Sequence, residues 1–505
     1  MPSTTEATTP EVPSGSPAAA LPRQRSLVWL TARGFAWSLL GTGVSQILAL
    51  ASTVIVARWL TPVDYAIGGL ALASIGLFHV LTTQGFASAL VRLRDLTPGI
   101  CDSVFWPVAT VGAVVAVGVI ALSPLLAAFY GRPEIATVLP FLASGLLASS
   151  LAAVPNALLQ RSMRFRAIGA LRVLTTLLAA SLGITLAVLG HGHLALVVPG
   201  ATAVVAGGAL SFALAGYRPR LHFRRCEFSR VRCFGLSQLG SSVLLYFSDS
   251  ADYLILGRFW PAAIFGQYYF SFERARQPFN LVYAQLSDVL FSSLSRVQDR
   301  LDKLRNAYLE GTETFCLFIF PLHVLLIGLA DVIIPALFTE RWIATVPVFR
   351  IFAMGAFVRG LCVCAPAMFL ALDRAQDNLR FNVFRVVVIV PALIVLASSG
   401  ADMVLTAGVL LVIWTLQLPF YALRLYRLIE LPVGDVACRL GTVVVATVAM
   451  GASLAAGRMA LFGLVESEWI GALLASLVAL IVFVGLTVRR LRATLERLAA
   501  IFGRS

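Results

Sequence analysis

"ARWLTPVDYAI", residues 57–67, returns further along the chain as "GRFWPAAIFGQ", residues 257–267. Each opens with an arginine (Arg58, Arg258), continues with an aromatic residue and a proline, and sets a second aromatic (Tyr65, Phe265) seven positions after the arginine. The arginines and the second aromatics keep an offset of 200, while the prolines differ by one position. Both stretches follow a long apolar run and hold the same place in a longer pattern. A repeat carried in one orientation predicts two parallel halves related by an axis along the membrane normal, with a substrate route between them.

The membrane enters through composition. Of 505 residues 59% are hydrophobic and only 13% charged, and the mean hydropathy is +0.88. A soluble chain of this length would need far more charge to cover its surface. Runs of about 20 apolar residues recur throughout, each sufficient to cross a roughly 30 Å hydrocarbon slab as a helix. Strand-period alternation is absent, which argues against an outer-membrane barrel. The expected fold is an all-α polytopic membrane protein of about fourteen transmembrane helices. Six spans (35–57, 66–90, 104–128, 137–160, 168–189, 194–216) form an N-terminal bundle over 34–216. Six more (234–256, 264–292, 312–337, 346–372, 380–400, 403–423) form a second bundle over 234–425. Two accessory helices (438–461, 467–488) fill 426–488.

Charge sets the orientation. The net charge is +14, and Lys303 is the one lysine, so arginine carries nearly all of it. With the N-terminus inside, the outer loops hold only Arg58, Arg132, Arg258, Arg341 and Arg458; Arg172, Arg274, Arg276, Arg350 and Arg359 are read as lying within spans. The rest fall on the inner side, which makes both termini cytoplasmic by the positive-inside rule. Clustering in short loops also argues against nucleic acid as the partner. The richest inner segment, "YRPRLHFRRCEFSRVR" (217–232), lies in a basic linker over 217–233. It reads as a topology determinant that meets anionic lipid headgroups. Residues 1–22 are rich in Ser, Thr, Pro and Ala without an apolar core and open a disordered cytoplasmic tail running to residue 33. Residues 489–505 form a basic cytoplasmic tail. The seven cysteines are scattered and imply neither a disulfide framework nor a metal site.

Several motifs together resemble the Wzx-like polysaccharide exporters, the colanic acid exporter branch of the multidrug/oligosaccharidyl-lipid/polysaccharide exporter superfamily. They are "VARWLTPVDYAI" (56–67), "ALVRLRDLT" (89–97), "AAFYGRPEI" (127–135), "ALLQRSMRF" (157–165), "RPRLHF" (218–223), "DYLILGRF" (252–259) and "LFTERWIATVPVFRIFA" (337–353). The resemblance covers most of the first ten spans; the last four resemble the family in hydropathy alone. Ala66 departs from the glycine usual in that pattern, and "FERARQP" (272–278) is more charged than the usual version. The resemblance implies flipping of an undecaprenyl-pyrophosphate-linked oligosaccharide across the bacterial inner membrane for exopolysaccharide, capsule or O-antigen synthesis. It implies alternating access and ion coupling, with a polysaccharide polymerase and a chain-length regulator as further partners. A drug or lipid II exporter of the same superfamily is the nearest alternative.

The stretch "YYFSFERARQPFNLVYAQL" (268–286) puts Glu273, Arg274 and Arg276 inside an apolar run, and intramembrane ionisable groups are costly and face a cavity or a partner. Glu273, Gln277, Asn280 and Ser287 share one helical face with Arg276 beside it; Gln238, Ser242, Asp249 and Asp252 do much the same on the preceding span. The functional reading gives Arg274, Arg276 and Arg359, with Gln277 and Asn280, to the pyrophosphate head. It gives Asp249, Asp252 and Glu273 to a coupling cation or proton. Two plainer readings stand beside it: a span that starts near residue 278, with "ERAR" capping its outer end among headgroups, or inter-span salt bridges. Arg172 and Arg350, near span ends, read as snorkelling. His191 and His193 in "GHGHLAL" read as a plain loop and His79 as a core residue. No GxxxxGK[ST] loop is present, so ATP does not power the chain, and no cofactor is implied. A membrane-embedded polymerase or ligase would need a large catalytic outer loop, and the longest here is about ten residues.

Overall fold

A computed structural model describes residues 24–83, 90, 96–162, 164–294, 301–372, 374–461 and 468–503. The first half comprises α1 (Gln24–Trp59), α2 (Pro62–Thr83), α3 (Pro98–Tyr130), α4 (Glu134–Leu151), α5 (Ala153–Arg161), α6 (Phe165–Val188) and α7 (Leu194–Ala215). The second comprises α8 (Arg225–Phe259), α9 (Ala262–Leu294), α10 (Leu301–Gly328), α11 (Ala330–Phe338), a 3-10 turn (Glu340–Thr345), α12 (Val346–Gly360), α13 (Ala365–Ala371), α14 (Ala375–Ser398) and α15 (Met403–Leu428). Then come α16 (Val433–Leu461) and α17 (Glu468–Gly503). Among the described residues, twelve helical segments are long and apolar enough to cross a membrane, and the protein is a multi-pass membrane protein. The other two long helices, α8 and α9, have 35 and 33 residues but are too polar to meet the apolar requirement. They account for the difference between twelve and the fourteen spans expected. α1 begins at Gln24, inside the stretch read as a tail, and α17 runs helical to Gly503 through most of the C-terminal basic stretch.

The repeat is visible in the packing. In the first half α1 lies along α6, α2 and α3 pack on α4, and α4 and α6 pack on α7. In the second, α8 lies along α14, α9 and α10 pack on α12, and α12 and α14 pack on α15. The two sets correspond helix for helix. α1 and α8 end at Trp59 and Phe259, and α2 and α9 start at Pro62 and Ala262, each pair keeping the offset of the sequence repeat. α6 and α14 end alike, with Gly190 and Gly400 at φ 78° and 73°, a left-handed conformation that glycine adopts without a Cβ penalty.

The fourth span of each half is broken, where the sequence suggested continuous helices over 137–160 and 346–372. α4 gives way to α5 at Ala152, and α12 to α13 through turns at 361–364. Pro155 and Pro366 explain the breaks. Neither has an N–H to return to the carbonyl four residues back (Leu151, Cys362), and each ring crowds that carbonyl. Irregular backbone at membrane depth is tolerated where protein or a cavity surrounds it.

The end of the molecule where α1 starts and α17 finishes is here termed the proximal face, and the opposite end the distal face. At the distal face the halves are clasped. Arg132 Nη2 donates to Trp260 O at 3.1 Å, and Arg341 Nη1 donates to Leu60 O at 2.9 Å. Leu60 and Trp260 keep the repeat offset, so each half lends an arginine to the same carbonyl of the other. Arg58 donates to Leu337 O (2.9 Å) and Ala336 O (2.7 Å). Beneath them Trp342 is fully buried, stacks on Phe270 at 4.1 Å, meets Tyr65 edge-on at 5.0 Å and donates Nε1 to Ala57 O.

On the proximal side the connection between halves is tied to the start of α3. Tyr217 Oη donates to Asp102 Oδ1 (2.7 Å), Trp106 Nε1 to Arg220 O (2.7 Å) and Ser103 Oγ to Glu227 Oε2 (2.7 Å). The accessory pair is held by Glu313, 3% exposed, which accepts from Arg439 Nε at 2.8 Å and Arg490 Nη1 at 2.5 Å.

The halves cross tightly at Gly266 on α9. A Cβ there would stand 1.7 Å from Pro62 O, a backbone atom that cannot rotate away. Gly266→Ala therefore forces α2 and α9 apart at the distal face. We expect it to abolish recovery of monodisperse protein on size-exclusion chromatography, whereas Gly240→Ala, with nothing within 4 Å, leaves recovery at the parent level.

Candidate functional site

α9 places the charged residues. It starts at Ala262, so Glu273 and Arg276 stand about 16 and 21 Å along its axis. The helix runs unbroken through residue 278, with "ERAR" in mid-helix. Residues two apart on a helix point about 200° away from each other. Arg274 and Arg276 accordingly serve different cavities, one in each half.

The second-half cavity, about 290 Å³, is enclosed by α8, α9, α12, α13, α14 and α15. Its charged lining is Asp249, Arg276, Arg359 and Arg385, with Asn378, Asn382 and Gln417 among the polar side chains. It extends from the depth of Arg276 and Arg359 toward the proximal end, where α14 brings Asn378 and Asn382. Arg385 Nη2 donates to Asp249 Oδ1 at 2.8 Å. Arg276 Nη2 donates to Glu273 Oε1 at 2.7 Å, and that same oxygen accepts from Tyr253 Oη at 2.7 Å. Arg276 lies 5.1 Å from the Phe272 ring centre and Arg359 4.7 Å from that of Phe279. No hydrogen bond or ion pair from a described residue reaches the Arg359 guanidinium. The buried Nε atoms of Arg276 and Arg385 also lack a partner among the described residues. Two guanidiniums are thus each bonded to a carboxylate, while Arg359, at the break between α12 and α13, faces the cavity over the Phe279 ring, within the field of Asp249 but without a bonded carboxylate among the described residues.

The first-half cavity, also about 290 Å³, is lined by Ser52, Thr53, Tyr65, Thr176 and Tyr269, with Arg274 as its one charged lining residue. Arg274 Nη1 donates to Gln277 Oε1 at 3.0 Å, and its buried Nε has no partner among the described residues. α9 is therefore the wall between two cavities, presenting a guanidinium to each.

The remaining sequence-derived candidates divide. Asp252, 7% exposed, accepts from Tyr268 Oη at 3.0 Å and sits behind the second-half cavity, lining a small pocket with Asp249 and Arg385. Asn280 is exposed and lines neither cavity. The side chains of Gln238 and Ser287 lie outside those described. Arg172 donates to Thr42 Oγ1 at 2.5 Å, away from both cavities. Arg385 was not among the candidates, because it follows a basic inner loop closely and reads there as one more loop cation. The structure puts it ten residues into α14. Its signal was available in sequence: it lies inside the apolar span expected over 380–400.

A cavity of this kind, walled by apolar helices and floored by guanidiniums, suits an anionic group carried into a membrane. Arginine stays charged and offers paired N–H donors that match phosphate oxygens. The family model described as polysaccharide biosynthesis protein matches residues 55–347. The chain belongs to this family. The match takes in the repeated arginine motifs, the connection between halves, and all of α9. Among similar members, lipopolysaccharide biosynthesis protein WzxC of Escherichia coli is 23% identical over 388 residues, covering 76% of this chain and 78% of that one. Succinoglycan biosynthesis transport protein ExoT of Rhizobium meliloti is 23% identical over 330 residues, covering 65% and 67%. Of solved structures, the lipid II flippase MurJ in an inward closed conformation superposes with a TM-score of 0.72 at 13% identity, covering 91% of this chain and 99% of that one. An inward-facing multidrug resistance MATE transporter gives 0.58 at 18%, covering 78% and 99%. The two structural likenesses establish the fold of this chain.

Proposed function

We propose that this chain flips an undecaprenyl-pyrophosphate-linked oligosaccharide repeat unit across the bacterial inner membrane by alternating access. The observation that carries the reading is the pair of guanidinium-lined cavities on either side of α9, at mid-membrane depth, beneath a clasped distal face. Arg359, Arg276 and Arg385 in one half and Arg274 in the other receive the pyrophosphate head, and Gln277 holds Arg274 in position. The proximal face is cytoplasmic, in keeping with the bias of arginines toward that side, and the distal face is periplasmic. Asp249, Asp252 and Glu273 are the carboxylates through which a cation or proton couples to transport. Protonating Asp249 or Glu273 weakens its ion pair and frees Arg385 or Arg276 for phosphate. The family match favours polysaccharide over peptidoglycan precursor as the cargo, and the likeness to a succinoglycan transport protein and to the fold of a lipid flippase favours transport over polymerisation.

The test is the lipid-linked saccharide content of cells lacking the protein, resolved by membrane leaflet. Completed repeat units accumulating in the cytoplasmic leaflet, with loss of surface polymer, is the expected result. Repeat units that reach the periplasmic leaflet unpolymerised would instead assign the chain to polymerisation. Accumulation of peptidoglycan precursor with surface polymer intact would move it to the lipid II reading.

A further inference from the structure

A third cavity lies outside the transport route. It is a groove of about 730 Å³ between α10, α12 and α16, on the opposite face of α12 from Arg359. Its floor is apolar and buried: Phe320 and Leu454 are each 2% exposed and Val324 8%. Its rim is open, with Met354, Val448 and Met459 exposed, so the groove faces outward from the bundle. From Arg350 to Leu361 it follows α12 for about 16 Å, close to half of a roughly 30 Å hydrocarbon slab. It is one leaflet deep.

Two guanidiniums stand at the distal mouth. Arg350 and Arg458 both line it, and Asp331 lies between them. Asp331 Oδ1 and Oδ2 accept from Arg458 at 2.8 and 2.9 Å, and Arg350 Nη2 stands 3.1 Å from Oδ1 as an ion pair. Arg350 Nε donates to Ile327 O at 3.0 Å, and Arg458 Nη1 donates also to Gly328 O. These bonds fix both guanidiniums while leaving Arg350 Nη1 and Arg458 Nε uncommitted among the described residues. Glu468, at the start of α17, also acts on Arg458 electrostatically, and the N–H donors left over, Arg350 Nη1 and Arg458 Nε, stand at the head of an apolar, leaflet-length slot. That pairing of donors and shape matches a lipid with an anionic head and hydrocarbon tails.

We propose that this groove holds one anionic phospholipid of the distal leaflet, its phosphate between Arg350 and Arg458 and an acyl chain along Val324, Phe357 and Leu454. The lipid packs against the back of the helix whose front presents Arg359, so it wedges α12 between α16 and the transport cavity.

The full-length chain, purified in detergent, is titrated with palmitoyl-oleoyl phosphatidylglycerol or the matching phosphatidylcholine and read by native mass spectrometry. One phosphatidylglycerol is expected to be retained, with phosphatidylcholine lost under the same activation. Arg350→Ala is expected to raise the concentration for half-occupancy about tenfold, the cost of one charge-assisted contact. Val448→Trp, on the exposed rim where misfolding is not at issue, is expected to abolish retention by filling the slot. Equal retention of both lipids by the parent chain, or retention untouched by Val448→Trp, would overturn the proposal. So would stoichiometric displacement of phosphatidylglycerol by undecaprenyl phosphate, which would give the groove to the tail of a transported lipid.

Discussion

Arg359→Ala is expected to stop export almost completely while leaving the protein as well folded as the parent. Both halves of that expectation follow from its surroundings. Arg385 is engaged by Asp249 and Arg276 by Glu273, but Arg359 faces the cavity over Phe279 without a carboxylate of its own. It is the guanidinium that an incoming pyrophosphate meets with no ion pair to break. A charge-assisted hydrogen bond contributes about 1.5–3 kcal/mol, so losing one corresponds to roughly 10- to 150-fold, more if the contact is bidentate. Stability should move the other way, because an intramembrane cation without a paired carboxylate is a cost to the fold. The measurement is surface polymer in complemented deletion cells, alongside protein level and thermal unfolding. Arg359→Lys should recover part of the export, keeping charge without the planar fork. Arg350→Ala, on the lipid groove, should lose much less. Equal tolerance of Arg359→Ala and Arg350→Ala would remove the head group from this cavity.

Much of this arrangement was open to a reader of the sequence. Arg58 and Arg258 announced the two halves because an arginine at the end of an apolar run, followed by Pro and an aromatic, is too specific to recur idly in the same topological place. Glu273 and Arg276 stood out because ionisable groups in apolar runs are few. The division of Arg274 from Arg276 was also legible, since helix geometry alone sets residues two apart on opposite faces. Other features were not. Asp249 pairs with Arg385 on a helix far along the chain, and no periodicity reports which spans become neighbours. The breaks after Leu151 and Gly360 leave hydropathy uninterrupted, and prolines are common enough in membrane helices that Pro155 and Pro366 could not be told from Pro278, which α9 absorbs. The lipid groove is assembled from three helices whose exposed faces carry no more than ordinary apolar residues. Only the folded chain puts Arg350 beside Arg458.

Removing the reciprocal arginines at the distal face is expected to release the clasp. Arg132 and Arg341 each bind one carbonyl of the opposite half, Trp260 O and Leu60 O, and these bonds exist only while the distal ends are together. Each contributes about 1.5–3 kcal/mol to the closed arrangement, and a shift of 3–6 kcal/mol in a two-state equilibrium is roughly 10²- to 10⁴-fold in population. The double variant Arg132→Ala/Arg341→Ala should therefore favour a distal-open state without unfolding, since Trp342 remains stacked on Phe270 within its own half. Ala66 reports it well: it is 0% exposed, directly beneath the clasp. With the seven native cysteines replaced, Ala66→Cys should resist a membrane-impermeant maleimide applied from the distal side in the otherwise unaltered chain. In the double variant it should react at least tenfold faster. Export should fall too, because a flippase held open to one side cannot reload from the other. An unchanged labelling rate in well-folded double variant would mean that Arg58, through Leu337 O and Ala336 O, or the buried aromatic layer keeps the distal face shut. Adding Arg58→Ala to the double variant, and Trp342→Ala alone, would then tell which of the two opens it.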